Sequence, residues 1–455
     1  MIDRFDTVLR VRGGGALVGS VATHGAKNAA LPIMAAALMA RGPVTLHHVP
    51  RITDVSVMWS LLEALGARLR YEGEALIVDA SNVATYRAPY ALVRKLAASF
   101  DLVGPLLGRF GRAEVPLPGG CVLGTRATDM HEYAFRALDC EVRNEHGYLL
   151  AEAKHGRLRG AEITFRIPSV GATKNALLAA VLAQGRTVLG NVALEPEVVD
   201  LAKFLVAMGA KISGIESDTL VVDGVDELHG VEYEIIPDRI VAGTLLIAGV
   251  ATRGDVTVTK CVPGHLLALT EKLAECGATI THGDDWVRVE GAQVTGGTSI
   301  VTAPYPAFPT DLQPQMTAML CTCPGKSFVE ESIFNARFSY VNELARMGAD
   351  IKVAMESNTA TITGVERLSG APVEAPDIRA GAGLVIAGLA ASGETEIIGL
   401  EYIDRGFEHF EAMLSSLGAQ AQRSSGVTPL AEPTTLFETQ SFPRIATGTT
   451  SSTGV

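Results

Sequence analysis

The chain has 455 residues, 47% of them hydrophobic, and a formal net charge of −12. That length and apolar content predict two domains with sizeable cores, and the acidic balance argues against a nucleic-acid partner, which calls for a basic stripe or a basic excess. The start Met1-Ile2-Asp3-Arg4-Phe5-Asp6 lacks a basic segment followed by an apolar one, and no apolar run reaches the roughly 18 to 20 residues that span a bilayer, so a soluble, cytoplasmic protein with no membrane partner is expected.

Along the chain, Gly25-Ala26-Lys27-Asn28 precedes a run from Ala29 to Ala40 that is apolar or small nearly all round, which predicts a helix buried on every side. The first amide groups of that helix, with the Lys27 ammonium, suit an anion; a plain capped helix start reads the same way. An amphipathic helix follows and closes at Gly66-Ala67. Next, Pro116-Leu117-Pro118-Gly119-Gly120-Cys121 puts a thiol directly after two glycines, where a ligand can come close. Arg126 follows, and a guanidinium there would lower the thiol pKa and suit a phosphate. By spacing alone Cys121 fits either a reactive thiol or a buried structural one. The others, Cys140, Cys261, Cys276, Cys321 and Cys323, read as small buried hydrophobes. No Cys-x-x-Cys pair or zinc-finger spacing of His is present, so no metal is expected.

Ser169-Val170-Gly171-Ala172-Thr173-Lys174-Asn175 opens a second fully apolar stretch, Ala172 to Ala183. From Glu197 to Met208, the residues Val198, Leu201, Phe204, Leu205 and Met208 make one apolar stripe at helical period. Pro309-Thr310-Asp311 precedes another core helix, where Asp311 suits an N-cap, the plainer reading, or a general base. Arg337, Arg379 and Arg405 lie near the edges of units, where loops from two domains can bring guanidinium groups to one anion; pairing with adjacent acids is the alternative for Arg379 and Arg405. A further apolar helix is expected from Ala380 to Ala391.

These elements repeat. Gly66-Ala67, Gly209-Ala210, Gly277-Ala278, Gly348-Ala349 and Gly418-Ala419 each close a unit, and Leu138-Asp139-Cys140 closes a degenerate copy, so that the marks fall about 70 residues apart. Six units, three to a domain, reach about Arg423. Buried helices enclosed by strands, with amphipathic helices outside, imply an α/β protein whose sheets wrap a helical core. Beyond Arg423 the chain is rich in Ser, Thr, Gly and Pro, and residues 424–455 are expected to form a flexible tail.

Taken together, Gly25-Ala26-Lys27-Asn28-Ala29-Ala30-Leu31-Pro32, Leu117-Pro118-Gly119-Gly120-Cys121, Ser169-Val170-Gly171-Ala172-Thr173, Pro237-Asp238-Arg239-Ile240 and Phe308-Pro309-Thr310-Asp311 resemble the UDP-N-acetylglucosamine 1-carboxyvinyltransferase family over about residues 5 to 423. The resemblance implies two inside-out α/β domains of three βαβαββ repeats each, residues 27–235 forming one and 1–26 with 236–423 the other, and an active site in the cleft between them. It implies transfer of the enolpyruvyl group of phosphoenolpyruvate to the 3-hydroxyl of UDP-N-acetylglucosamine, the first committed step of peptidoglycan precursor synthesis, with no metal or redox cofactor. By matching motif, Cys121 resembles the loop thiol that donates a proton and that the epoxide fosfomycin alkylates. Lys27, Asn28, Arg126, Arg379 and Arg405 resemble the phosphoenolpyruvate contacts, Lys27 and Arg405 also serving catalysis. Asp311 resembles the base for the acceptor hydroxyl. Asn28, Ala97, Arg126, Ala127, Thr128, Asp129, Met130, Ser169, Val170, Gly171, Asp311 and Ile333 fall at positions similar to the nucleotide-sugar contacts.

Two positions depart from the family. Ala97 stands where many members carry an Arg, with Arg94 one helical turn earlier, and Ile167 stands where a Lys is frequent, with Arg166 beside it. These leave another uridine nucleotide such as UMP as an alternative acceptor, and a nucleotide-sugar-binding paralogue without turnover as a second class.

Overall fold

The computed structural model describes residues 7–117 and 128–425. In the unit that holds Asp311, the strand Ser299–Val301 leads through the helix Gln313–Leu320 to Lys326–Glu330, and the helix Val341–Arg346 leads to the hairpin Asp350–Ala354 and Thr359–Thr363. The first two strands run parallel and the last two join antiparallel, in the spatial order first, second, fourth, third. Glu162–Thr164, Arg186–Gly190, Thr219–Asp223 and Lys211–Ser213 repeat that order. Strands such as Asp255–Thr259 alternate buried and half-buried residues, with Val256 and Val258 pointing inward.

Three units take a strand from elsewhere in the chain. Glu232–Glu234 runs parallel to Val44–His47, and Val18–Ala22 runs parallel to Asp255–Thr259. Thr7–Arg12 lies between Glu394–Ile398 and Gln420–Ser425. The unit containing Arg112–Pro116 has three strands, with Arg87 bridging Glu114 in parallel. The strand Gln420–Ser425 corrects the expected start of the tail: Ser424 and Ser425 are paired to Val8 and Thr7, because the edge of Thr7–Arg12 takes up their backbone groups. The remainder of the expected tail lies outside the described residues.

The Gly-Ala marks put a left-handed glycine at the helix C-cap or directly after it. Gly66, Gly209, Gly277, Gly348 and Gly418 have φ of 106°, 105°, 99°, 90° and 92°, a conformation open to glycine and costly for most other residues. In the degenerate copy Asp139 takes that place with φ 65°, which a short polar side chain tolerates best. Lys154 Nζ pairs with its carboxylate at 3.2 Å.

Buried apolar side chains gather in two clusters, one spanning Ala26 to Ile235 and the other joining Leu9, Val11, Leu17 and Val21 to Ile240 through Ala421. The helices Lys27–Ala36, Val103–Phe110 and Val170–Ala180 run through the first; Arg239–Ala251, Gln313–Leu320 and Ile378–Ala390 run through the second. Every residue of Arg239–Ala251 is buried. Small residues are required here: a Cβ on Gly383 would lie 2.8 Å from the Pro314 carbonyl oxygen, and one on Gly104 would lie 2.7 Å from that of Asn175. The chain passes between the clusters along two adjacent segments. Ala26 N donates to Ile236 O at 2.7 Å, and Asp238 N donates to His24 O at 2.9 Å. Cys140, Cys261, Cys276, Cys321 and Cys323 are all free and buried, as their sequence setting suggested.

Candidate active site

Where the two clusters face each other, the core-helix N-termini converge. Lys27 begins Lys27–Ala36; its backbone N donates to Asp238 Oδ2 at 3.0 Å, while Asp238 Oδ1 caps the core helix Arg239–Ala251 by accepting from Ile240 N and Val241 N. Lys27 is 7% exposed, and its ammonium lies 2.7 Å from Asp54 Oδ2. Asp54 Oδ1 accepts from Arg405 Nε, also at 2.7 Å. Burial lowers the Lys27 pKa, Asp54 opposes that, and Arg379 and Arg405 add to it. Three cations therefore crowd one corner of the cleft, where a multiply charged anion would be stabilised.

Asp311 sits in the short 3-10 turn Thr310–Leu312, whose cap position belongs to Pro309. It is not an N-cap. Its Oδ2 accepts from Arg379 Nη2 at 2.7 Å and Nε at 3.1 Å, and its Oδ1 accepts from Arg337 Nη2 at 3.4 Å. Its side chain keeps 27% of its surface open to the cleft, although protein surrounds it on the other sides. Burial alone would raise the pKa, but Arg379 and Arg337 overcome it and hold the carboxyl well below its usual range. The acids next to the arginines in sequence have other work: Asp377 caps Arg379 N and Ala380 N, and Asp404 pairs with Arg423. Asn28 lies half-buried on the first turn beside Lys27.

A second group lies around the start of Val170–Ala180. Ser169 accepts from Ala172 N as the N-cap, and half-buried Val170 and Gly171 follow. Thr128 Oγ1 donates to Glu132 Oε1 at 3.0 Å, Asp129 is joined to Arg166 at 2.7 Å, and Met130 packs on the first core. The His131 ring covers Gly171 so closely that a Cβ there would lie 3.1 Å from Cε1 and Nε2. Thr128, Asp129, Met130, Ser169, Val170 and Gly171 are thus brought to one place. Ala97 opens the turn Ala97–Leu102 half-buried, Arg94 is exposed, and Ile167 is 51% exposed. Ile333 is 39% exposed; its N donates to Glu331 Oε1, whose Oε2 accepts from Thr310 Oγ1. Cys121, Arg126 and Ala127 lie outside the described residues.

Sequence reasoning missed Asp54, Glu331 and Glu197. Glu197 receives Arg239 Nε at 3.0 Å and Nη2 at 3.2 Å, a bidentate pair across the two clusters. Asp54 and Glu197 are first-turn acids of their helices, a common and uninformative placement in sequence.

His131 gives a pH-dependent expectation. Burial pushes its pKa down to about 4, and Lys174 adds to this against Asp101, Asp129 and Glu132. Its Nδ1 accepts from Asn175 Nδ2 at 3.2 Å, so the neutral ring fits the site. A His depressed on folding contributes stability that is present above its unfolded pKa and lost as pH falls toward the folded value. Unfolding free energy should drop by on the order of 3 kcal/mol between about pH 6.5 and 4 through this residue. Chemical denaturation of His131→Gln across that window should show a flatter dependence than the unsubstituted protein.

Two strand-wrapped helical cores that meet at a cluster of buried cations and carboxylates define the class of the enolpyruvyl transferases. The sequence model of the family described as EPSP synthase (3-phosphoshikimate 1-carboxyvinyltransferase) matches residues 11–414. The enolpyruvyl transferase NikO from Streptomyces tendae superposes with a TM-score of 0.82 at 26% identity, over 93% of this chain and 100% of that one. A UDP-N-acetylglucosamine 1-carboxyvinyltransferase of a Psychrobacter species is 47% identical over 94% of this chain and 98% of its own. That of Dichelobacter nodosus is 49% identical, over 91% and 98%. The chain belongs to the UDP-N-acetylglucosamine 1-carboxyvinyltransferase family. Among the described residues, no helix is long and apolar enough to cross a membrane.

Proposed function

We propose that the protein, in the cytoplasm, transfers the enolpyruvyl group of phosphoenolpyruvate to the 3-hydroxyl of UDP-N-acetylglucosamine and releases phosphate, beginning peptidoglycan precursor synthesis. Residues 27–235 act as one domain and 1–26 with 236–423 as the other, closing on the substrates before chemistry. The observation that carries this reading is the pairing of Asp311 with Arg379 beside the Lys27, Asp54 and Arg405 cluster. Lys27, Asn28, Arg126, Arg379 and Arg405 hold phosphoenolpyruvate. The acceptor lies along Asn28, Ala97, residues 126–130, Ser169, Val170, Gly171 and Ile333, with its 3-hydroxyl toward Asp311.

Asp311 takes the hydroxyl proton as that oxygen attacks C2, and Cys121 delivers a proton to C3, giving a tetrahedral intermediate. Loss of a C3 proton and of phosphate then leaves the enol ether. A carboxylate held far below its usual pKa is a weak base. The phosphoenolpyruvate anions compete for Arg379, and as that guanidinium turns to them the basicity of Asp311 rises. The base is thereby strengthened by the arrival of the co-substrate.

The test is phosphate release from phosphoenolpyruvate with UDP-N-acetylglucosamine or, separately, UMP. Release with the nucleotide sugar alone is expected. Release only with UMP would reassign the acceptor, and binding without release from either would make the protein a sensor. Fosfomycin should inactivate the protein, and Cys121→Asp should remove that sensitivity; unchanged sensitivity in the variant would remove Cys121 from the proposed chemistry.

A further inference from the structure

Asp54 has no part in the scheme above, yet it is the anion on which two of the proposed phosphate-binding cations meet. It is 1% exposed, in the first turn of the helix Thr53–Leu65, which packs in the first cluster. One oxygen faces the Lys27 ammonium from the same half, and the other receives Arg405 Nε from the opposite half. The surrounding backbone is docked as well: Thr53 N donates to Asp404 O at 3.0 Å, and Arg51 N donates to Glu408 Oε2 at 2.9 Å. Among the described residues, Nε is the part of the Arg405 guanidinium that has a partner, which leaves its two terminal nitrogens for an oxyanion.

The charges explain why an acid belongs here. Lys27 and Arg405 bring two positive charges to an enclosed corner, with Arg379 close by and itself paired to Asp311. Asp54 cancels one of them. With no substrate bound, the corner then carries a modest excess that a phosphate dianion can reverse. Without Asp54, the bare cations would repel, and either Arg405 would swing out or Lys27 would shed its proton.

Resting on the functional reading above, we propose that Asp54 is a positioning residue that keeps Lys27 charged and ties it to Arg405 across the cleft, so that approach of the two halves assembles the phosphate-binding corner. The groups facing Lys27 are Asp54 on its own half, Arg379 and Arg405 on the other, and Asp238 through the Lys27 amide. In Asp54→Asn the two opposing guanidiniums and the burial act on Lys27 without the counter-charge, so its pKa falls. The alkaline limb of kcat/KM for phosphoenolpyruvate therefore moves to lower pH.

The decisive measurement does not depend on turnover. The pH dependence of Lys27 labelling by an amine-reactive aldehyde, followed by peptide mapping of the full-length protein, should shift its midpoint down by at least about one unit in Asp54→Asn. Asp54→Glu, which retains the charge, should restore most of it. In activity, Asp54→Asn should raise KM for phosphoenolpyruvate by about tenfold or more and move KM for the acceptor much less. An unchanged labelling midpoint in a variant that melts normally overturns the proposal. Should Asp54→Asn fail to fold, Arg405→Gln decides: Lys27 labelling should then shift to higher pH, and no shift would mean that the two cations do not share Asp54. An absence of phosphate release by the unsubstituted protein would reject the functional reading, while the labelling result would still decide the role of Asp54.

Discussion

Asp311→Asn should lower kcat for phosphate release by between about 10²- and 10⁴-fold, the range over which a positioned acid or base acts, without raising KM for phosphoenolpyruvate. The substitution preserves shape and removes both the proton acceptor and the charge. In the unsubstituted protein that charge occupies Arg379 through two hydrogen bonds and Arg337 through one. Freed from the carboxylate, Arg379 is more available to phosphoenolpyruvate, so affinity for that substrate should hold or improve while turnover collapses. A general loss of structure would instead raise both KM values. The same substitution leaves Arg337 and Arg379, 2% and 5% exposed, facing a neutral amide. Stability should therefore fall by roughly 3 to 5 kcal/mol, as when one partner of a buried pair is removed, and substrate should recover part of that loss by supplying the missing anion. Steady-state kinetics with thermal melts, with and without phosphoenolpyruvate, separate the two effects. A proportional fall in kcat and rise in both KM values would mean that Asp311 is structural.

Much of the architecture was legible because it rests on local rules. The Gly-Ala marks announced helix ends, since a left-handed cap strongly favours glycine, and the all-apolar runs announced core helices, since no polar face remained to meet water. The predicted run Ala172 to Ala183 corresponds to the helix Val170–Ala180, and the stripe from Glu197 to Met208 to the helix Pro196–Ala207. What stayed hidden was long-range. Nothing in Thr7–Arg12 announces that it pairs with both Glu394–Ile398 and Gln420–Ser425, because strand partners are chosen by tertiary packing. The acids of the cleft were hidden for a similar reason. Asp311 looks like a cap in sequence; only the arrival of Arg379, sixty-eight residues away, makes it an ion pair. Arg405 follows an acid directly, yet it reaches Asp54 from the far end of the chain.

The second large effect is expected at the other junction between the halves. Glu197→Ala should destabilise the protein by roughly 3 to 5 kcal/mol, because it strands a buried guanidinium. Glu197 is 3% exposed and Arg239 is 9% exposed, and the two are joined through both carboxylate oxygens. Burial penalises the Arg239 charge and Glu197 offsets it, with Asp311 and Glu195 assisting. In the Ala variant those more distant acids remain, but neither replaces the bidentate contact. The pair also has a directional consequence. Glu197 lies on the helix Pro196–Ala207 of the first cluster, and Arg239 opens the helix Arg239–Ala251 of the second, immediately after the segment that crosses between them. Its loss weakens the contact that fixes the helix Arg239–Ala251 against the first half, so the two cores should lose cooperativity. Calorimetry should then resolve a single transition into two. Glu197→Gln, which keeps one acceptor oxygen, should fall between the two states. Asp223→Ala, which breaks the exposed pair with Arg186, is the control and should leave the melt unchanged. A Glu197→Ala melt that remains single and unshifted would mean that water reaches Arg239 and that the halves are held together elsewhere.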